Sequence, residues 1–143
     1  MFSVSYDEEA ALVVSCFSGS SNSDADYELY CASIVELNAK FAVGVLRIAI
    51  LTVDSDNPIP NASWRKRIAE ASADIGPNTL FILVTDRTIV RGIVTAINWV
   101  RPPTHQWCIV SSFDDALVFA EKVRPDAITA LSKLHDECRR QTV

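Results

Sequence analysis

Three short runs of apolar, largely β-branched residues constrain this chain most: "VGVLRIAILTV" (43–53), "LFILV" (80–84) and "QWCIV" (106–110). Runs of this kind suit strands buried on both faces, the usual condition of a parallel sheet. The segments between them have a different period. Trp64, Ile68, Ala71 and Ile75 recur at three- and four-residue steps, and so do Ile89, Val90, Ile93, Val94, Ile97 and Val100. Each set makes one apolar face of a helix. Strands alternating with helices select an α/β fold.

The flanks extend this order. "FSVSY" (2–6) and "ALVVSCF" (11–17), joined by "DEEAA", read as an opening β-hairpin. A polar loop (18–26) then leads into a helix ending near Lys40, with Tyr27, Tyr30, Cys31, Ile34, Leu37 and Phe41 on its apolar face. The second helix spans about 62–74 and stops at Gly76-Pro77. Thr85 or Asp86 is the expected cap of the third, which ends at Pro102-Pro103. "SFDDALVFAEKV" is a short helix capped by Ser112, and Pro125 opens a last helix burying Ile128, Leu131 and Leu134. The expected architecture is a mixed, mostly parallel sheet with an N-terminal β-hairpin and helices packed on it. Residues 1–143 form a single domain, of which 125–143 adds a C-terminal helix. Arg47 is expected at the exposed end of its strand, and Gly92 is expected to let its helix approach the sheet.

Composition narrows the function classes. A net charge of −5 disfavours nucleic acid and anionic membrane, which select basic faces. The apolar runs are too short or too interrupted to span a bilayer, and the N-terminal segment lacks the basic start of a secretory signal. The expectation is a cytoplasmic protein. Cys16, Cys31, Cys108 and Cys138 are too scattered for a metal-binding spacing, and a disulfide framework is not expected. Trp64 and Trp107 fit core stripes, whereas Trp99 falls off its helix's main face and is the candidate exposed aromatic.

Enzyme signatures are missing from the sequence pattern. Asp54 and Thr85 follow successive strands as in a receiver domain, but the first strands end in a hairpin and a serine-rich loop, and Ser111 and Ser112 rather than a lysine follow the last. His105 and His135 have no nucleophile elbow beside them, and no glycine-rich phosphate loop is present. Neither a catalytic residue nor a cofactor is expected.

The segment "LVTDRTIVRGIVTAINWVRPPTHQWCIVSSFDDALVFAEK" resembles the STAS domain family, in particular its SpoIIAA-like branch, and with the element order extends the likeness over about residues 2 to 124. The resemblance implies a non-catalytic protein-interaction or signalling module of bacterial regulation. Some STAS domains are switched by phosphorylation of a serine in a D-S-S-G-like motif at the start of the second helix. "NASW" (61–64) occupies that place: Ser63 keeps a hydroxyl, while Ala62 and Trp64 depart from the motif. A phosphate on Ser63 would meet a helix N-terminus beside Arg65, Lys66 and Arg67. The plainer reading makes Asn61 a cap and the basic run a solvated face.

Carboxyl ends of strands are where open α/β sheets usually bind. The expected binding surface is therefore Asp54, Ser55, Asn61, Arg65, Thr85, Asp86, Arg87 and Arg91, joined by Trp99. Its partner is expected to be a protein, with homodimerisation open. SpoIIAA-like domains also resemble lipid-carrying SEC14-type folds, so a small apolar ligand is the alternative. An internal apolar cavity would favour that alternative.

Overall fold

The computed structural model describes residues 1–41 and 44–141. One five-stranded sheet, in the order β1-β2-β3-β4-β5, organises the chain. Its strands are β1 (Phe2–Asp7), β2 (Leu12–Phe17), β3 (Arg47–Val53), β4 (Thr79–Val84) and β5 (Gln106–Val110). β1 and β2 form the antiparallel hairpin, with Asp7 opposite Leu12, and every later pairing is parallel. The expected α/β architecture is the one observed. β3 begins at Arg47; Val43, where its run was expected to begin, lies outside the described residues, as do 142–143 of the C-terminal segment.

Alternate side chains of each strand feed two cores. On one face, Leu12, Val14, Ile48, Ile50, Leu80 and Ile82 are almost wholly buried. They pack against α4 (Phe113–Val123) and α5 (Ile128–Arg140), with a 3₁₀ turn at Pro125–Ala127 between those helices. On the other face, Phe17, Leu51 and Leu83 meet α1 (Asp24–Lys40), α2 (Ala62–Ala73) and α3 (Thr88–Val100).

Local chemistry explains the helix starts. Ser23 caps α1 in a reciprocal box with Asp26, and Ser112 accepts the Asp115 N–H at 3.1 Å to cap α4. Asn61 accepts the Trp64 N–H at 2.9 Å and caps α2, as expected. Trp64 then donates its indole N–H to Asp24 at 2.9 Å and lies 5.2 Å from the Tyr27 ring, which ties α2 to α1.

The expected C-terminal helix is present and buries Leu131 and Leu134 as read; Cys138 is buried with them, and α5 covers β1 and β2. Three other expectations are corrected. Neither Thr85 nor Asp86 caps α3; Arg87 stands at the cap without a side-chain bond, and the Thr85 hydroxyl accepts the Arg87 N–H at 3.2 Å. Gly92 is exposed and a Cβ there would meet nothing, so it does not serve close approach to the sheet. Arg47 does begin its strand, but it is half-buried rather than at a free end. Its guanidinium bonds Asn38 at 3.2 Å and fills the space where a Cβ on Gly76 would sit.

Candidate functional site

The carboxyl ends of β3, β4 and β5 form a shallow polar groove. Asp54 leaves β3 and receives both arms of Arg139 from α5, at 2.8 and 3.0 Å. Such a two-bond guanidinium–carboxylate pair fixes orientation as well as charge. Ser55 donates to Asp86 at 2.7 Å, and Arg91 reaches Ser111 at 2.8 Å and the Thr85 carbonyl at 3.2 Å. His135 stacks on Phe113 with ring centroids 3.7 Å apart. Burial first, and then the Arg139 charge, hold its pKa below the usual histidine value.

The loop between β3 and α2 is pinned from within. Asn57 is 2% exposed. Its amide nitrogen donates to the Gly19 carbonyl at 3.0 Å and approaches the Ser18 carbonyl at 3.3 Å, its amide oxygen accepts from Asn22 at 2.8 Å, and its backbone carbonyl accepts from Arg87. The sequence reading passed over Asn57. An asparagine between two acids and a proline reads as an ordinary turn residue, and only the fold brings the 18–22 loop beside it.

The expected binding surface is therefore divided. Asp54, Ser55 and Asp86 meet at the groove, with Arg91 along its rim. Thr85 is corrected: at 1% exposure it is structural, not a surface residue. Arg87 and Arg65 turn inward to backbone carbonyls, of Asn57 and Pro60 respectively. Ser63 is exposed in the first turn of α2, but Arg67 beside it is engaged with Glu28 at 2.9 Å and lies over the Trp64 ring. Trp99, 81% exposed, stands at the far end of α3. Because α3 runs back along the sheet, that end lies away from the groove.

A second feature lies beneath α3. This helix contributes no buried side chain, and its expected apolar face is only partly used: Val90 and Val94 pack inward, while Ile89 and Val100 are 56% and 86% exposed. Both had been expected on the buried stripe. The gap is an apolar cavity of about 150 Å³. Leu51, Phe81 and Leu83 of the sheet form its floor, and Ile68 of α2 with Val90 and Val94 of α3 form its walls.

Where α3 leads into β5, the lining changes to Asn98, Arg101, Pro103 and His105. His105 is 9% exposed and its Nδ1 has no hydrogen-bond partner among the described residues. Burial pushes its pKa down, so the ring is neutral at pH 7 and each nitrogen keeps one donor or acceptor function. A buried polar atom without a partner is costly. Among the described residues no cluster of three or more His, Cys, Asp or Glu is arranged to hold a metal ion, and no helix is long and apolar enough to cross a membrane.

No family model matches the chain, and neither the curated proteins nor the solved structures include a match.

Proposed function

We propose that this protein is a non-catalytic binding domain that takes a small, mainly apolar molecule with one polar end into the cavity under α3. The observation that carries the proposal is the apolar chamber itself, whose lining turns polar at Asn98, Arg101 and His105. A convergent polar group in an otherwise apolar concavity is the usual form of a small-molecule site. The volume limits the ligand. About 150 Å³ admits a single aromatic ring or the end of a short alkyl chain, and is too little for a whole lipid. Arg101, exposed and also lining the cavity, favours a carboxylate at the polar end. Toluene and benzoate are suitable probes, with backbone amide shifts of the labelled protein as the readout. Shifts centred on Val90, Val94 and Leu83, abolished in Val94→Phe, support the proposal. Shifts scattered over the surface, or unchanged in the filled variant, refute it.

The second reading is a partner-docking module of STAS type. It is favoured by Trp99 and Val100, two large apolar side chains that stand adjacent and exposed at 81% and 86%. Aromatic residues of this kind dominate binding energy when a partner covers them. Affinity capture with wild type, Trp99→Ala and Val94→Phe separates the readings. A specific protein lost only with Trp99→Ala supports docking, whereas capture that is indifferent to Trp99 counts against it.

A further inference from the structure

Cys16 on β2 and Cys138 in the last turn of α5 are 122 residues apart in sequence, yet their sulfurs lie 3.5 Å apart. Ser3 of β1 completes the cluster, with its hydroxyl 3.0 Å from one sulfur and 3.1 Å from the other. All three side chains are buried. Cys31 and Cys108, by contrast, are half-buried, and neither makes a comparable contact among the described residues. A disulfide needs a sulfur separation of about 2.05 Å, so the two sulfurs must close by about 1.5 Å to bond.

We propose that Cys16 and Cys138 form a reversible disulfide that clamps α5 to the sheet. This goes beyond the ligand-binding reading and does not depend on it. The sulfur–sulfur contact is symmetric, since either thiol could donate in it. The bond from Cys138 and that from Ser3 lower the Cys16 pKa, and the same sulfur–sulfur contact together with burial raises that of Cys138. With Cys16 as the attacking thiolate, Cys138 is the resolving thiol; the reverse order gives the same disulfide.

The oxidant is a hydroperoxide, of which hydrogen peroxide is the smallest and the best able to enter a buried site. The Cys16 thiolate attacks one peroxide oxygen and the O–O bond breaks. This leaves Cys16 as a sulfenic acid and releases hydroxide, which takes up the proton that Cys16 gave on ionising. Cys138 then attacks the sulfenic sulfur, and water leaves with the thiol proton. The net change is two thiols and one peroxide to one disulfide and two waters. Access comes through the last turn of α5, because helix ends open before the rest of the fold. Arg139, next to Cys138, holds that turn to Asp54.

The test exposes the intact protein to excess hydrogen peroxide, then quenches and maps its peptides. The expected result is a Cys16–Cys138 linked peptide that dithiothreitol reverses. The linked form should melt roughly 10 °C above the reduced one, since closing so long a loop constrains the unfolded chain. Cys138→Ala should stop at a Cys16 sulfenic acid that dimedone traps, and Asp54→Asn should speed closure several-fold. Oxidation confined to Cys31 and Cys108, with Cys16 and Cys138 still free thiols, overturns the proposal. A linked form with an unchanged melting temperature overturns the clamp. The wild-type peptide map needs no variant, so a misfolded mutant leaves the test intact.

Discussion

Truncating Leu131 tests whether α5 belongs to the core. Leu131 is 0% exposed and lies in the same cluster as Leu12, Val14 and Ile48. Replacing it with alanine removes three buried carbons and leaves a hole that α5 fills only by shifting on β1 and β2. Buried Leu→Ala changes cost about 2–5 kcal/mol, and a site enclosed on all sides belongs in the upper half of that range. Folded domains are stable by only about 5–15 kcal/mol, so about 3–5 kcal/mol is a large share. At this chain length it corresponds to a melting temperature roughly 10 °C or more lower. Urea titration followed by circular dichroism gives the free energy, with Val118→Ala as the control. Val118 is 58% exposed on α4, and its truncation should cost under about 0.5 kcal/mol. A Leu131→Ala cost below about 1 kcal/mol would refute the placement of α5 in the core.

Two further outcomes follow from the same packing. Asn57→Ala should destabilise by about 1–3 kcal/mol, because it removes the buried side chain whose bonds tie the 18–22 loop to the loop after β3; urea titration checks this, and Asn57→Asp should not restore the loss. Stability should fall on acidification through the window just below about pH 6.5, read from thermal melts across that range. His105 and His135 both have folded pKa values lowered by burial, so the unfolded chain binds more protons there and acid favours it. The double change to Gln should flatten that part of the profile, whereas an unchanged profile would show that the two rings are not the cause.

Much of the fold was legible because strands and helices leave different periods. The three apolar runs became the parallel strands, and the capping residues Ser112 and Asn61 worked locally as read. What a period does not state is what a face packs against. The α3 stripe shows this: Ile89 and Val100 continue the apolar pattern but project into solvent, because the sheet and α2 meet only the Val90 and Val94 side. α5 was legible as a helix, but its seat over the hairpin was not.

The site was harder to read for the same reason. Asp54 with Arg139, and Cys16 with Cys138, are pairs made only by the return of the chain across the sheet. No local spacing marks them. Thr85 was misplaced because a polar residue after a strand looks exposed, whereas its hydroxyl and carbonyl are consumed by Arg87 and Arg91 in a closed corner. Arg101 and His105 stood on either side of the loop "PPT" without any signal that the cavity would open between α3 and β5.

Occupancy of that cavity is the claim on which the account rests. A ring of seven to nine heavy atoms, at ordinary efficiency for so small a ligand, corresponds to a dissociation constant on the order of 1 mM. Benzoate titrated to tens of millimolar at neutral pH, with toluene as the apolar comparison, covers the range around that value. The account expects saturable amide shifts at Val90, Val94 and Leu83 and a histidine side-chain shift at His105 with benzoate only, all lost in Val94→Phe while its melt stays cooperative. No saturable shift at those residues, or equal binding by Val94→Phe, would contradict it.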